Sequence, residues 1–87
     1  MLFLISSAPD TKEFKTAYEA AKDMRADICL LQNAAYAARN LNDTSLYVLN
    51  DEMHLWGLEE DEIMGKPIDY KQLIDLMESA DKVVGLF

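Results

Sequence analysis

The sequence predicts a single α/β domain, a three-layer α/β/α arrangement around a mostly parallel sheet of four or five strands. Three observations carry this. Short apolar runs alternate with amphipathic stretches along all 87 residues, the order of βα units. The run Ile28 to Leu31 shows no polar alternation, as expected of a strand buried on both faces of a parallel sheet, and this strand is expected to be central. The stretches between runs are long enough for right-handed crossovers. A chain this short buries surface for one core only, so residues 1–87 form one domain.

The elements follow in order. Leu2 to Ile5 is the first strand, closed by the turn-forming Ser6, Ser7, Ala8 and Pro9. Asp10 is placed to cap the first helix, with Glu13 three residues on, and Phe14, Ala17, Tyr18, Ala21 and Met24 make its apolar stripe. After the second strand, Asn33 is expected to cap a short helix over 34–39, which the Asn40 to Asp43 cluster ends. Leu46 to Leu49 is the third strand. Asn50 is expected to cap a two-turn helix with Asp51 and Glu52 at its positive end, and Gly57 to end it, with Leu58 folding back on Met53. An acidic loop, Glu59 to Glu62, leads through Gly65 and Pro67 to a very short strand at Ile68. Asp69 and Gln72 have capping-box spacing ahead of the stripe Leu73, Leu76, Met77 and Ala80, and 82–87 is the last apolar strand.

Half of the residues are hydrophobic, and only three Gly and two Pro occur, a composition suited to a packed globule. No apolar run approaches the roughly 20 residues of a membrane span, and Met1 to Ile5 lacks the basic start and the length of a secretory leader, so the chain is expected to be cytoplasmic. The net charge of −8 arises in the second half: residues 43–87 hold eleven acids against three bases, whereas 1–42 hold five of each. That field repels phosphate backbones and anionic lipid, which argues against direct nucleic-acid or membrane binding and leaves room for a basic protein partner.

In open parallel sheets, ligands gather at the carboxyl ends of the strands. The residues delivered there are Ser6, Ser7, Gln32, Asn33, Asn50, Asp51, Asp69 and Tyr70, of which Asn33, Asn50, Asp51, Asp69 and Tyr70 make a candidate ligand or partner edge, although Asn33, Asn50 and Asp69 have an ordinary explanation as helix caps. No glycine-rich phosphate loop and no dinucleotide fingerprint is present, so no cofactor is implied. With one Cys and one His there is no metal-ligand set and no internal disulfide. Cys29 is the one candidate nucleophile, yet it lies inside an apolar run, where a free thiol behaves as a small buried hydrophobe. Trp56, on a helix too short to offer much core-facing area, and the terminal Leu86 and Phe87 are interface candidates.

The stretch Leu46-Tyr47-Val48-Leu49-Asn50-Asp51-Glu52, then Gly57-Leu58, then Pro67-Ile68-Asp69-Tyr70 before a helix bearing Leu73, resembles the TusB/DsrH family of sulfur-relay proteins, within the DsrE/DsrF/DsrH-like fold. Cys29-Leu30-Leu31-Gln32-Asn33-Ala34 is similar to the same family's second strand and turn. The resemblance implies an α/β/α subunit that assembles with TusC-like and TusD-like (DsrF/DsrE-like) chains passing persulfide sulfur toward tRNA wobble-uridine 2-thiolation, or, for DsrH-like members, toward sulfur oxidation. It also implies that the transferring thiol belongs chiefly to the TusD/DsrE-like chain. The stretch from Ser6 to Met24, where some DsrH proteins carry a thiol, contains no cysteine here. The expected role is therefore a noncatalytic assembly subunit. The alternatives are a sulfurtransferase carrying persulfide on Cys29, and a homo-oligomeric small-ligand-binding module.

Overall fold

The computed structural model describes residues 1–39, 46–59, 63 and 65–86. Five strands, β1 (Leu2–Ile5), β2 (Asp27–Leu30), β3 (Leu46–Leu49), β4 (Lys66–Ile68) and β5 (Val83–Leu86), form one sheet in the order β4-β3-β2-β1-β5. Every pairing is parallel, and β2 is central. Helices α1 (Lys12–Asp23), α2 (Asn50–Leu55) and α3 (Tyr70–Ser79), with a 3₁₀ helix at Gln32–Arg39, fill the connections. Among the described residues the helical segments are these three α-helices and the 3₁₀ segment.

The strand order dictates the layers. From β1 to β4 each strand is laid beside the last in one direction, so right-handed crossovers place α1, the 3₁₀ helix and α2 on one face. The return from β4 to β5 runs the other way and puts α3 on the opposite face. Side chains divide accordingly. Phe3, Ile5, Ile28, Leu30, Leu46 and Val48 pack with α1, the 3₁₀ helix and α2, while Leu2, Leu4, Cys29, Leu49 and Ile68 pack with Leu73 of α3.

Helix α1 is capped by Thr11 and not by Asp10. The Thr11 hydroxyl accepts from the Phe14 N–H at 3.2 Å while donating to the Ala8 carbonyl at 2.6 Å, a two-sided role that a carboxylate cannot fill. Phe14, Ala17 and Ala21 are buried as the stripe predicts, but Met24 is the C-cap residue and its side chain is exposed. Asn33 does not cap the next helix. That helix begins at Gln32, whose φ of +48° turns the chain sharply out of the strand, and Asn33 lies exposed inside the first turn. The alanines explain the 3₁₀ form: Ala34, Ala35, Ala37 and Ala38 are pairs spaced by three, which eclipse on one face at three residues per turn, and all four are buried.

Asn50 is likewise not a cap. Strand β3 runs straight into α2, so the cap position falls on Leu49, whose side chain is committed to the core, and Asn50 is the first helical residue. The other end matches its expectation. Gly57 adopts φ +69°, its N–H reaches the His54 carbonyl at 3.2 Å, and Leu58 N–H reaches Met53 carbonyl at 2.9 Å, with both Leu58 and Met53 buried. Gly65 is required by close approach, since a Cβ there would lie 2.8 Å from the Leu46 carbonyl oxygen. The capping box at α3 is complete: Asp69 accepts from Gln72 N–H at 2.7 Å and Gln72 accepts from Asp69 N–H at 2.9 Å. Of its predicted stripe Leu73 is buried, Leu76 and Ala80 are half-buried, and Met77 is exposed.

The expected acidic loop falls, at Glu60 to Glu62, outside the described residues, as does the Asn40 to Asp43 cluster. So does Phe87. Leu86 is placed on β5, the edge strand beside β1. No helix of the described residues is long and apolar enough to cross a membrane.

Candidate functional site

Cys29 is the natural starting point, being the single thiol of the chain. It sits midway along the central strand, in register with Leu4 of β1 and Tyr47 of β3, and is fully buried beneath α3. Desolvation by that burial pushes its pKa up to about 12, so the protonated, weakly nucleophilic form dominates at neutral pH. Among the described residues neither a helix N-terminus nor a basic side chain offsets this. Among the described residues no group of three His, Cys, Asp or Glu side chains could hold a metal ion.

Parallel strands bring the predicted edge residues to one end of the sheet, but not into one site. Asp69 is occupied as the α3 cap, Tyr70 is exposed at the first turn of α3 beyond β4, and Asn50 and Asp51 open α2. Asn33 does line a groove of about 370 Å³ at the carboxyl ends of β2 and β3, together with Gln32, Glu52, Leu55 and Trp56. A larger groove, about 610 Å³, opens where α1 leaves β5 uncovered, with a floor of Phe3, Ala17 and Val84 and with Lys12, Glu13 and Ser7 among its lining.

The smaller groove is the better built. Trp56 is 43% exposed, yet its position is fixed: the indole Nε1–H donates to the Gln32 carbonyl at 3.0 Å, and its ring meets that of Tyr36 at 5.4 Å between centroids, tilted by 58°. Such a pair contributes about 0.5–1.5 kcal/mol beyond burial. Two local features make this possible. The Gly57 turn ends α2 at Trp56, and the left-handed Gln32 brings its carbonyl within reach of the indole. Glu52, one helical turn before Trp56, places a carboxylate on the same side. A left-handed non-glycine residue at the end of a central strand is a form of strain concentrated at functional sites. Sequence reasoning singled out Trp56 and placed Gln32 and Asn33 at the carboxyl edge but missed Tyr36, Glu52 and Leu55 as parts of one site; the signal that was available is the i to i+4 spacing of Glu52 and Trp56.

The arrangement defines the class of protein: a small, all-parallel α/β/α domain whose lone thiol is sequestered and which carries an aromatic, acidic groove at the carboxyl edge of the sheet. Its fold is similar to that of Tm0979 from Thermotoga maritima, determined by solution NMR, at 26% sequence identity and a TM-score of 0.65 over 94% of this chain and 97% of that one. No protein-family model matches the chain. No curated protein matches it either.

Proposed function

We propose that this chain is a noncatalytic, TusB/DsrH-like subunit of a sulfur-relay complex, supporting tRNA wobble-uridine 2-thiolation through TusC-like and TusD-like partners. The observation that carries the reading is the burial of Cys29. Loading sulfur on a thiol needs a thiolate that a donor can reach, and handing it on needs an acceptor in line with the S–S bond; a protonated thiol under α3 and between two strands offers neither. The chain's contribution is then assembly and recognition, and the resemblance of residues 46–58 and 67–73 supplies the partners.

The test is reconstitution. Sedimentation of this chain with TusC-like and TusD-like subunits is expected to give a complex larger than either component, and Cys29→Ala is expected to keep tRNA thiolation within a few-fold of the unaltered assembly. A monomer that ignores both partners overturns the reading. Rapid alkylation of Cys29 in the native state, with a persulfide trapped on it, would instead establish the sulfurtransferase alternative. A second reading, a small-ligand-binding module, is favoured by the apolar groove between α1 and β5. Saturable binding of a small apolar fluorophore that Ala17→Phe abolishes, in a protein that does not join the relay subunits, would replace the first reading with this one.

A further inference from the structure

We propose that the groove beside Trp56 is a docking site for an arginine side chain presented by a protein partner, with the guanidinium over the exposed aromatic surface and paired to Glu52. Three features select this occupant. The aromatic platform is held in place before anything binds, because Trp56 is tied through Nε1 to the Gln32 carbonyl and leans on Tyr36, so its ring needs little further ordering on association. Glu52 is the one charged side chain among the described residues lining the groove, α2 adds Asp51 and no Lys or Arg, and the whole chain carries −8, so the local and the global field both favour a cation. A ring face beside a carboxylate suits a planar, delocalised cation better than an ammonium, since guanidinium stacks and can present two parallel N–H donors to one carboxylate. The Asn33 side chain, also lining the groove, offers an amide oxygen for a remaining donor.

The partner is a protein segment and not a free small cation because of Leu55. This side chain is 79% exposed at the rim of the same groove, an apolar contact that a neighbouring residue of a peptide meets and a free guanidinium does not. The inference rests on the reading of this chain as a recognition subunit but not on sulfur chemistry. Its readout is a local contact, so it can fail while the relay complex still forms, and it can hold while that complex does not.

The experiment is a titration of the ¹⁵N-labelled full chain with an acetylated, amidated Gly-Leu-Arg-Leu-Gly peptide, following the indole N–H signal of Trp56, the single tryptophan. That signal is expected to move saturably. Replacing arginine in the peptide by citrulline, a neutral isostere, is expected to weaken binding about tenfold or more, and Glu52→Gln to do the same. Asp75→Asn changes the net charge equally but lies on α3 over the opposite face, and is expected to weaken binding by less than about twofold. Equal losses for Glu52→Gln and Asp75→Asn would show diffuse attraction to an acidic protein and overturn the proposal, as would an indole signal that stays still or equal binding of the citrulline peptide. Retained spectral dispersion in Glu52→Gln establishes that the variant is folded.

Discussion

On one face of the sheet, α1, the 3₁₀ helix and α2 bury Phe14, Ala17, Ala21, four alanines of the 3₁₀ segment and Met53 against β1, β2 and β3. On the other face α3 is the one helix among the described residues, with Leu73 its one buried side chain and Leu76 and Ala80 packed at the margin. On the crowded face the helices contribute mostly alanines, packed at close approach against large strand side chains. The other is built from a few large ones, and it leaves Tyr70, Ile74 and Met77 of α3 and Val83 of β5 exposed. The difference teaches that these layers fail in different ways: the alanine-rich side is intolerant of added volume, and the α3 side is intolerant of its removal.

Leu73→Ala tests this most severely. It removes the one buried side chain of α3, and is expected to cost about 2–5 kcal/mol, read from the shift in chemical-denaturation midpoint. Amide exchange in α3 should accelerate more than in α1. A loss below about 1 kcal/mol would mean that α3 is held mainly by its half-buried residues, and the contrast between the faces would dissolve.

Ala35→Leu probes the opposite side. Ala35 is completely buried, and enlarging it is expected to cost about 1–3 kcal/mol by forcing the 3₁₀ helix off the sheet. The indole N–H signal of Trp56 should shift in this variant, because Tyr36 and the Gln32 carbonyl ride on the same segment. An unperturbed indole would show that Trp56 is anchored independently of that layer.

Smaller effects sharpen the picture at the ends of α3. Asp69→Ala removes the carboxylate that accepts from Gln72 N–H, while the residue 69 backbone N–H can still donate to the Gln72 side chain, and is expected to cost about 0.5–2 kcal/mol, with Asp69→Asn recovering most of it. The smallest change is expected at Asp81, just past α3, which pairs with the Met1 ammonium at 2.9 Å. That hydrogen bond, then the charge of the ammonium, holds the Asp81 carboxyl below the ordinary Asp value. Because the folded-state pKa is depressed, any stabilisation is complete above the unfolded carboxyl's range and is lost as pH falls through the folded one. The pair is fully exposed at Asp81, so Asp81→Asn should leave the midpoint at neutral pH nearly unchanged and only flatten the acid limb slightly.

How far the sequence reveals these layers depends on how local each cause is. The Asp69–Gln72 box, the Gly57 turn with Leu58 over Met53, and the buried run of β2 are all legible, since each is settled by residues a few positions apart. Thr11 beside Asp10 shows the limit of that approach: two adjacent capping residues compete, and the contact to the Ala8 carbonyl decides. Asn33 and Asn50 fit the cap pattern but are displaced by tertiary demands, a left-handed Gln32 in one case and a strand that runs directly into its helix in the other. The groove was half legible. Trp56 announces itself by size, whereas its anchor is a backbone carbonyl 24 residues away, which no side-chain pattern encodes.

One pairing also constrains the order in which the structure can be made. Strand β1 is hydrogen-bonded along one side to β5, with Leu2 opposite Val83 and Ile5 opposite Leu86. On the ribosome, synthesis proceeds from β1 toward β5, so an apolar edge of the first strand stays unsatisfied until residues 83–86 have emerged. Nascent chains can lay β2 against β1, and then β3 against β2, while that edge remains open to other extended segments. Completion of the sheet is therefore governed by the strand pairing of greatest sequence separation among the described residues, and dilution or a chaperone at that moment would raise the yield without altering the final stability.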